Sequence, residues 1–340
     1  MSDPQPPPPT VFDTYSPILH PDAFPTAFAL LKDFHSNSSI PWTSNGTKSD
    51  IDLSYYQPDP PLPAPVCRGT GLLPAGFTAE QILPVIHQTA CRAHWDDRYK
   101  LGFPTLRFNR KLVRFYAVQK GVGEGWFVIV SPRDFTGYSG HVKEVGEDGV
   151  TRYYYLQTSA AFEDVPGVEG FVRGDTSLAG WVLEEKTGEP VKCTYIVKFD
   201  PKGSIPSNLI AQVVKETPLC IARVGQFIQE NGLVPHVPIH ADLPGQLRQE
   251  YLVEEKAEIN PENGEKLSDG GFVFTFSWFG APGSFDIRFD ETKWSDGAKV
   301  EIEEGALGED LELASEPGKV TVTVKEAGDG KKLKVVVSKA

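Results

Sequence analysis

The spacing of apolar residues changes along the chain, and it predicts which segments form helices and which form strands. Residues 21–34 and 76–97 carry apolar positions three and four apart, which predicts two helices, the second kinked at Pro84. From about residue 104 apolar and polar positions alternate, as is typical of antiparallel strands with one face exposed to water. The alternating runs, after a short strand at 51–56, are 105–119, 125–130, 151–160, 180–185 and 192–199.

One long amphipathic helix is predicted after these strands. It begins near Pro206 and ends at Gly232, because proline suits a first helical turn and glycine suits a C-terminal cap. The apolar stripe between them extends over roughly 39 Å at 1.5 Å per residue, and Pro218 is expected to bend it. A curved sheet closed by one such helix is hollow unless large side chains fill it. The pattern alone leaves open whether the interior is packed or binds a ligand.

A second alternating region follows and predicts a separate domain. Residues 268–340 are expected to form a small antiparallel β-sandwich, because short alternating runs are separated by glycine-containing turns. Residues 236–267 are predicted to be a linker, and residues 1–20 a disordered, proline-rich N-terminus. This leaves residues 21–235 as the main domain. The six runs are 270–280, 284–289, 298–304, 310–314, 319–325 and 332–338.

Composition and charge exclude several classes of protein. The 340 residues have a formal net charge of -13 and no basic stripe, which excludes nucleic acid as a partner. No apolar run approaches the roughly 18 residues of a transmembrane helix, and the first residues lack a secretory signal. We therefore expect a cytoplasmic protein. The four cysteines are far apart, which favours buried thiols over disulfides or a zinc site.

The histidines give no catalytic or metal-binding pattern. None of the seven lies in a GxSxG, HExxH or Cys-His arrangement. His236 and His240 are four residues apart, but prolines interrupt this segment, so the spacing does not place them on one helical face. We predict no metal and no cofactor. An enzyme that uses one Tyr, His or Glu as an acid or base has no spacing signature, so this alternative stays open.

Five short motifs, in the same order and at similar spacing, resemble those of the StAR-related lipid transfer (START) domain family. The resemblance covers roughly residues 22–232 and implies an α+β helix-grip fold, a curved antiparallel sheet wrapped around a long C-terminal helix. It also implies a tunnel for one sterol, phospholipid or related lipid, a helical lid, transient membrane contact and no catalysis. The motifs are HWDD (94–97), VSPRDF (130–135), and residues 166–185, 194–206 and 209–228.

The resemblance also implies a set of ligand-binding residues. In cholesterol-binding relatives an arginine lies four residues beyond the RDF phenylalanine, where this chain has Ser139. The Arg133-Asp134 pair is expected to have a structural role, because charges are costly in a lipid tunnel. Either the ligand differs from cholesterol, or its polar group contacts neutral side chains, for which Gln119, Thr194 and Tyr195 are the candidates. The predicted apolar contacts are Phe115, Ala117, Trp126, Val128, Tyr155, Val197, Val213, Val214, Ile221, Val224 and Ile228.

Two alternatives to a lipid carrier stay open. The helix-grip architecture also occurs in cyclases and dehydratases of aromatic polyketides. A scaffold whose interior is filled by its own aromatic side chains is the other alternative, and a cavity below about 300 Å³ would favour it. The C-terminal domain resembles no family, and we expect it to bind a protein partner or to stabilise the chain.

Overall fold

The computed structural model describes most of the chain, and the structural statements below concern these residues. They are 17–122, 130–203, 205, 210, 216–241, 246–255, 271–279, 282–293, 298–304, 311–325 and 333–339. The chain divides into two compact units. The first comprises Met1–Ala79 and Arg92–Phe227, and the second comprises Glu80–Cys91 and Ile228–Ala340.

The described helices are short, and none is both long enough and apolar enough to cross a bilayer. A 3-10 turn at Thr217–Leu219 directly precedes the last helix. Pro218 lies in this turn and cannot donate a backbone hydrogen bond, which is consistent with a 3-10 turn rather than regular α-helix at this point of the helix predicted between Pro206 and Gly232. Most of residues 206–215 lie outside the described part of the chain. Within the described residues the helices with defined bounds are α1 (Ala23–Ser36), α2 (Ala79–His87), α3 (Thr89–Trp95) and α4 (Cys220–Asn231).

A ten-stranded sheet forms most of the first unit. Its neighbouring strands run antiparallel in the order β1-β2-β3-β10-β9-β7-β6-β5-β4, and β8 pairs in parallel with β6. The strands are β1 (Thr43–Lys48), β2 (Ile51–Tyr56), β3 (Val66–Leu72), β4 (Tyr99–Asn109), β5 (Leu112–Gln119), β6 (Arg133–Val145), β7 (Thr151–Ser159), β8 (Val172–Arg173), β9 (Asp175–Glu185) and β10 (Lys192–Asp200).

The two faces of this sheet pack against different parts of the first unit. Helix α1 covers one face, here called the outer face, where Leu31 and Phe34 are buried with Leu156 and Val182. A Cβ atom on Gly180 would lie 2.6 Å from Cδ1 of Leu31, so the helix approaches β9 as closely as a glycine allows. Since side chains alternate along a strand, the residues next to Leu156 on β7 and next to Val182 on β9 extend from the opposite face of the sheet, here called the inner face.

The second unit contains two antiparallel sheets. Strands β11 (Gln246–Glu255), β12 (Gly271–Phe279), β17 (Leu333–Lys339) and β14 (Ala298–Glu304) form one sheet in that order. The other has the order β13 (Gly283–Arg288), β16 (Lys319–Val324), β15 (Leu311–Glu316), and its buried side chains include Phe285, Ile287, Val320 and Val322. Each of the six runs predicted in residues 268–340 forms a strand. The predicted linker, residues 236–267, contains β11, which pairs with β12.

The structure corrects several predicted elements of the first unit. The helix expected at 76–97 is interrupted at Gln88 rather than kinked at Pro84, which lies inside α2. The run 105–119 is a hairpin of β4 and β5. Strand β6 was missed because its first nine residues are all buried and do not alternate in polarity. Residues 123–129, which include most of the strand predicted at 125–130, lie outside the described part of the chain.

Candidate functional site

An internal cavity lies against the inner face of the large sheet. Its volume is about 60 Å³, well below the roughly 300–1,000 Å³ of typical ligand pockets. Strands β5, β6, β7, β9 and β10 form much of its wall. The other lining residues are Arg92 on α3, Asp96 and Arg98 after it, Tyr99 on β4, Thr217 in the turn and Cys220 on α4. The lining side chains with apolar surface include Phe115, Ala117, Val118, Phe135, Ala179, Tyr195, Val197 and Phe199.

Strand register brings the apolar wall together. Ala117 on β5 lies opposite Phe135 on β6, and Phe115 packs with both. On β10, Tyr195 and Val197 are two residues apart and therefore extend from the same face. The alternation that predicts these strands also orients their side chains toward the cavity.

The other part of the lining is polar and charged. Arg92 on α3 donates from Nε and Nη2 to Oδ2 of Asp96 over 3.1 and 3.0 Å, and from Nη1 to Oε1 of Gln157 over 3.0 Å. Burial, the largest single influence, would lower the pKa of Arg92, but the Asp96 carboxylate together with Tyr195, Tyr155 and Tyr99 raises it above the usual value. Burial would likewise raise the pKa of Asp96, yet the charges of Arg92 and Arg98 hold it below its usual value. Both groups therefore remain charged beside the cavity.

The residues that follow α3 connect this charged end to the Thr217–Leu219 turn. Arg98 donates from Nη2 to Oγ1 of Thr217 over 2.8 Å, and its backbone N–H donates to Oδ1 of Asp96 over 3.3 Å. Asp97 forms an ion pair with Arg223 on α4. Residues 96–98 therefore fix the turn and the start of α4 against the cavity.

The predicted ligand-binding residues differ in their positions. Five of them line the cavity: Phe115, Ala117, Gln119, Tyr195 and Val197. Their contact with a ligand stays a prediction.

The other predicted contacts do not line this cavity. Tyr155 is buried on the inner face beyond the lining residues, and Ile221, Val224 and Ile228 are buried on α4. Thr194 lies between Tyr195 and Cys193 on β10 and so extends from the outer face, where its hydroxyl is 3.2 Å from that of Thr70. Trp126, Val128, Val213 and Val214 lie outside the described residues.

Sequence reasoning missed the charged end of the cavity. The HWDD motif contains Asp96 and the RDF motif contains Phe135, so both motifs carried a signal. Arg92 gave none, because a single arginine on a short helix is usually exposed. Gln157 and Ala179 lie on strands whose alternation was recognised, yet neither was selected because neither is bulky.

The structural role predicted for Arg133 and Asp134 is confirmed. Arg133 donates to the carbonyl groups of Ser131, Pro201 and Lys202. Asp134 is fully buried and accepts from Nε and Nη2 of Arg173 over 3.0 and 2.8 Å. The pair anchors the start of β6 to the end of β10 and to β8. Strand β6 begins at this corner with Arg133.

No group of His, Cys, Asp and Glu within the described residues is arranged to bind a metal ion. All four cysteines are buried and unpaired by disulfides.

Comparisons with known proteins agree with this architecture. Human STARD10 has a TM-score of 0.50 at 15% identity, over 60% of this chain and 80% of its own. Human StAR-related lipid transfer protein 5 has a TM-score of 0.51 at 17% identity, over 62% of this chain and 98% of its own. At these identities the likeness shows the fold alone, and no curated protein sequence matches significantly. Residues 41–230, more than half of the chain, match the sequence model of the START domain, and the chain therefore belongs to the START domain family.

Proposed function

We propose that this protein binds one amphipathic lipid, of the sterol, phospholipid or a related class, on the inner face of the sheet and carries it without chemical change. The observation that carries the proposal is the mixed lining of the cavity, in which apolar strand residues adjoin the hydrogen-bonded polar group of Arg92, Asp96 and Gln157. The family assignment supports it, as does the name of one structural neighbour, a lipid transfer protein.

The mixed lining suits a molecule with a polar group and an apolar body. Burial of the body would contribute about 0.8 kcal/mol per methylene, and the polar groups would orient it. At about 60 Å³ the cavity must enlarge to admit a lipid. The Thr217–Leu219 turn is the element that would move, because the bond from Arg98 to Thr217 is one that water can replace. The turn and α4 would then act as the lid.

The ionisable groups beside the cavity support a carrier rather than an enzyme. Burial raises the pKa of Tyr195 and of Cys220, so neither side chain loses its proton easily at neutral pH. Asp96 is fixed as the counter-ion of Arg92. A general base or nucleophile requires a pKa near the working pH, and these residues lack one.

Native mass spectrometry of the purified chain, followed by lipid extraction, tests the proposal. We expect one lipid per chain in the wild type. The variant Ala117→Trp fills the cavity and should lose the lipid, whereas Thr194→Val, on the outer face of the same sheet, should keep it. A wild type that neither contains nor takes up lipid contradicts the proposal. Turnover of an added aromatic polyketide would instead favour the enzyme alternative.

A filled scaffold is the second candidate, and the small cavity favours it. In that case Ala117→Trp and the wild type would behave alike, with no lipid bound and none transferred from donor vesicles. The two candidates therefore differ in one measurement, the lipid content of the wild type.

We further propose that the protein is cytoplasmic, contacts membranes transiently during transfer, and uses its C-terminal unit to bind a protein partner or to stabilise the chain. Residues Glu80–Cys91 cluster with that unit, and the backbone N–H of His240 donates to Glu80 over 3.2 Å. Truncation near residue 240 would therefore expose part of α2. If truncation left lipid binding, localisation and stability unchanged, the proposed role of this unit would be wrong.

A further inference from the structure

The charged side chains that line the cavity do not balance one another. Among the described lining residues they are Arg92, Asp96 and Arg98, which carry two positive charges and one negative charge. Asp96 is committed to Arg92, because its Oδ2 accepts from both Nε and Nη2 of that side chain. Its Oδ1 accepts the backbone N–H of Arg98 rather than the guanidinium. One positive charge of the lining therefore has no counter-ion there.

That charge is on the guanidinium of Arg98. Its Nη2 donates to Oγ1 of Thr217, a neutral acceptor, over 2.8 Å. No carboxylate of the residues that the structure describes lies within 4.0 Å of this guanidinium, although it carries five N–H donors. The adjacent Asp97 pairs instead with Arg223 at the surface. Arg98 therefore has both charge and donors available to a ligand.

The charge of Arg98 acts on the interior of the domain. The residue is partly buried, and it lines the cavity together with Thr217 and Cys220. Burial raises the pKa of Cys67 to about 12, and the charge of Arg98 is the largest influence that opposes this rise. Cys67 lies opposite Val197, which belongs to the apolar wall. A cation beside such a wall is poorly solvated, so an anion that reaches it is bound favourably.

We propose that Arg98 selects ligands whose polar group is an oxyanion with a net negative charge, a carboxylate or a phosphate, attached to an apolar body. This inference rests on the proposed lipid binding and narrows its ligand class, because a neutral sterol brings no charge to the guanidinium. A planar guanidinium can bind two oxygens of one oxyanion, and such charge-assisted hydrogen bonds are strong. Arg92 lines the same cavity and can share the oxyanion, but Asp96 already balances its charge.

The test compares three amphiphiles that share one apolar chain and differ in the polar group. Decanoic acid, decyl phosphate and the neutral decanol are titrated into the full-length protein at pH 7 and followed by calorimetry. At least one of the two oxyanions should bind about 10- to 100-fold more tightly than decanol, the difference expected of a hydrogen bond to a charged group. The tighter of the two identifies the source, a fatty acid or a phosphorylated lipid.

Variants separate recognition of charge from a purely structural role of Arg98. Arg98→Gln should remove the preference for oxyanions, and Arg98→Lys should retain much of it because the charge is kept. Thr217→Val removes the acceptor in the turn but leaves the guanidinium, so the preference should persist. The matched control is Lys120→Gln, which removes an exposed positive charge outside the lining and should leave the preference unchanged. Because the preference is a ratio measured within one variant, a change in stability does not imitate its loss.

A second variant keeps the inference testable if Arg98→Gln does not fold. Gln119→Glu adds a negative charge to the lining and leaves the hydrogen bonds of Arg98 in place. It should lower the affinity for the oxyanions and not that for decanol.

The outcomes separate this inference from the proposed function. A wild type that binds none of the three amphiphiles and contains no extracted lipid overturns both. If the wild type binds decanol as tightly as both oxyanions, or if folded Arg98→Gln or Gln119→Glu keeps the full preference, only the role of Arg98 is overturned. An equal loss of preference in Thr217→Val also overturns it, because Arg98 would then act only by holding the turn.

Discussion

The ion pair between Arg92 and Asp96 leads to the most demanding prediction about stability. The variant Asp96→Asn keeps the shape of the side chain and removes its charge. The guanidinium of Arg92 then remains beside the cavity with neutral acceptors only, from Gln157 and the new amide, and no counter-ion. We expect a clear loss of stability at neutral pH, because a buried charge without a partner is poorly solvated.

The structure sets the size of this loss. Loss of one partner of a buried pair costs about 3–5 kcal/mol. The Arg92 side chain keeps 17% of its surface exposed and the Asp96 side chain 6%, so partial solvation reduces the penalty. We expect about 2–4 kcal/mol, a large part of the roughly 5–15 kcal/mol that stabilises a folded domain. The pKa of Asp96 is lowered in the folded state, so its contribution is present above about pH 4 and is lost as the pH falls through the folded-state value.

Urea unfolding measures this loss, with tryptophan fluorescence as the signal because Trp95 is buried beside the pair. The matched control is Asp97→Asn, one residue away. Its side chain is 73% exposed and pairs with Arg223 at the surface, so it should cost less than about 1 kcal/mol. The reasoning is refuted if Asp96→Asn costs no more than Asp97→Asn at pH 7, or if its effect does not shrink in acid.

Three more predictions concern other parts of the first unit. A hydrogen bond with His35 is the main cause that lowers the pKa of Glu184 to about 2, so the carboxylate stabilises the fold above about pH 4.5 and loses this effect as the pH falls toward 2. Glu184→Gln should cost about 1–2 kcal/mol at pH 7 and flatten the acid limb of a pH–stability profile; a parallel acid limb would contradict this. Gly69→Ala should cost about 1–3 kcal/mol in urea unfolding, because its Cβ would lie 2.5 Å from that of Pro218, and a neutral effect would show that the turn yields freely. All four thiols should resist an alkylating reagent until the chain unfolds, since they are buried and burial raises the pKa of Cys67 to about 12; rapid labelling of the native protein would disprove it.

Periodicity predicted the fold well where apolar residues recur in the sequence in a helix-like or strand-like run. Helix α1 and strands β7 and β10 lie close to the predicted positions, although several consecutive residues of β7 and of β10 are buried on both faces rather than on one. Strand β6 is also buried on both faces, but polar residues and glycines occupy many of its buried positions, so its sequence does not mark it as a strand. Strand β1 is polar and mostly exposed, and its six residues TSNGTK resemble a loop in composition.

The candidate site was only half predictable for a related physical reason. Bulky strand residues such as Phe115 and Tyr195 follow from alternation once the inner face is known. Arg92 and Gln157 become site residues only through contacts with partners 4 and 65 positions away along the chain. The spacing of neighbouring residues carries no information about a contact between residues 65 positions apart, such as that of Arg92 with Gln157. The stacking of Trp181 on Tyr195 depends on the register of β9 and β10, which a single sequence does not determine.

Asp96 and Arg98 connect Arg92, beside the cavity, to the Thr217–Leu219 turn. Asp96 binds Arg92 and also accepts the backbone N–H of Arg98, and Arg98 in turn donates to Thr217 in the turn that closes the cavity. A ligand group that binds Arg92 must share that guanidinium with Asp96. Asp96 also accepts the backbone N–H of Arg98. A movement of its carboxylate would therefore shift Arg98 and weaken the hydrogen bond from Arg98 to Thr217 that holds the turn. In the proposed carrier, a polar ligand group bound at Arg92 would therefore be coupled through Asp96 and Arg98 to the Thr217–Leu219 turn.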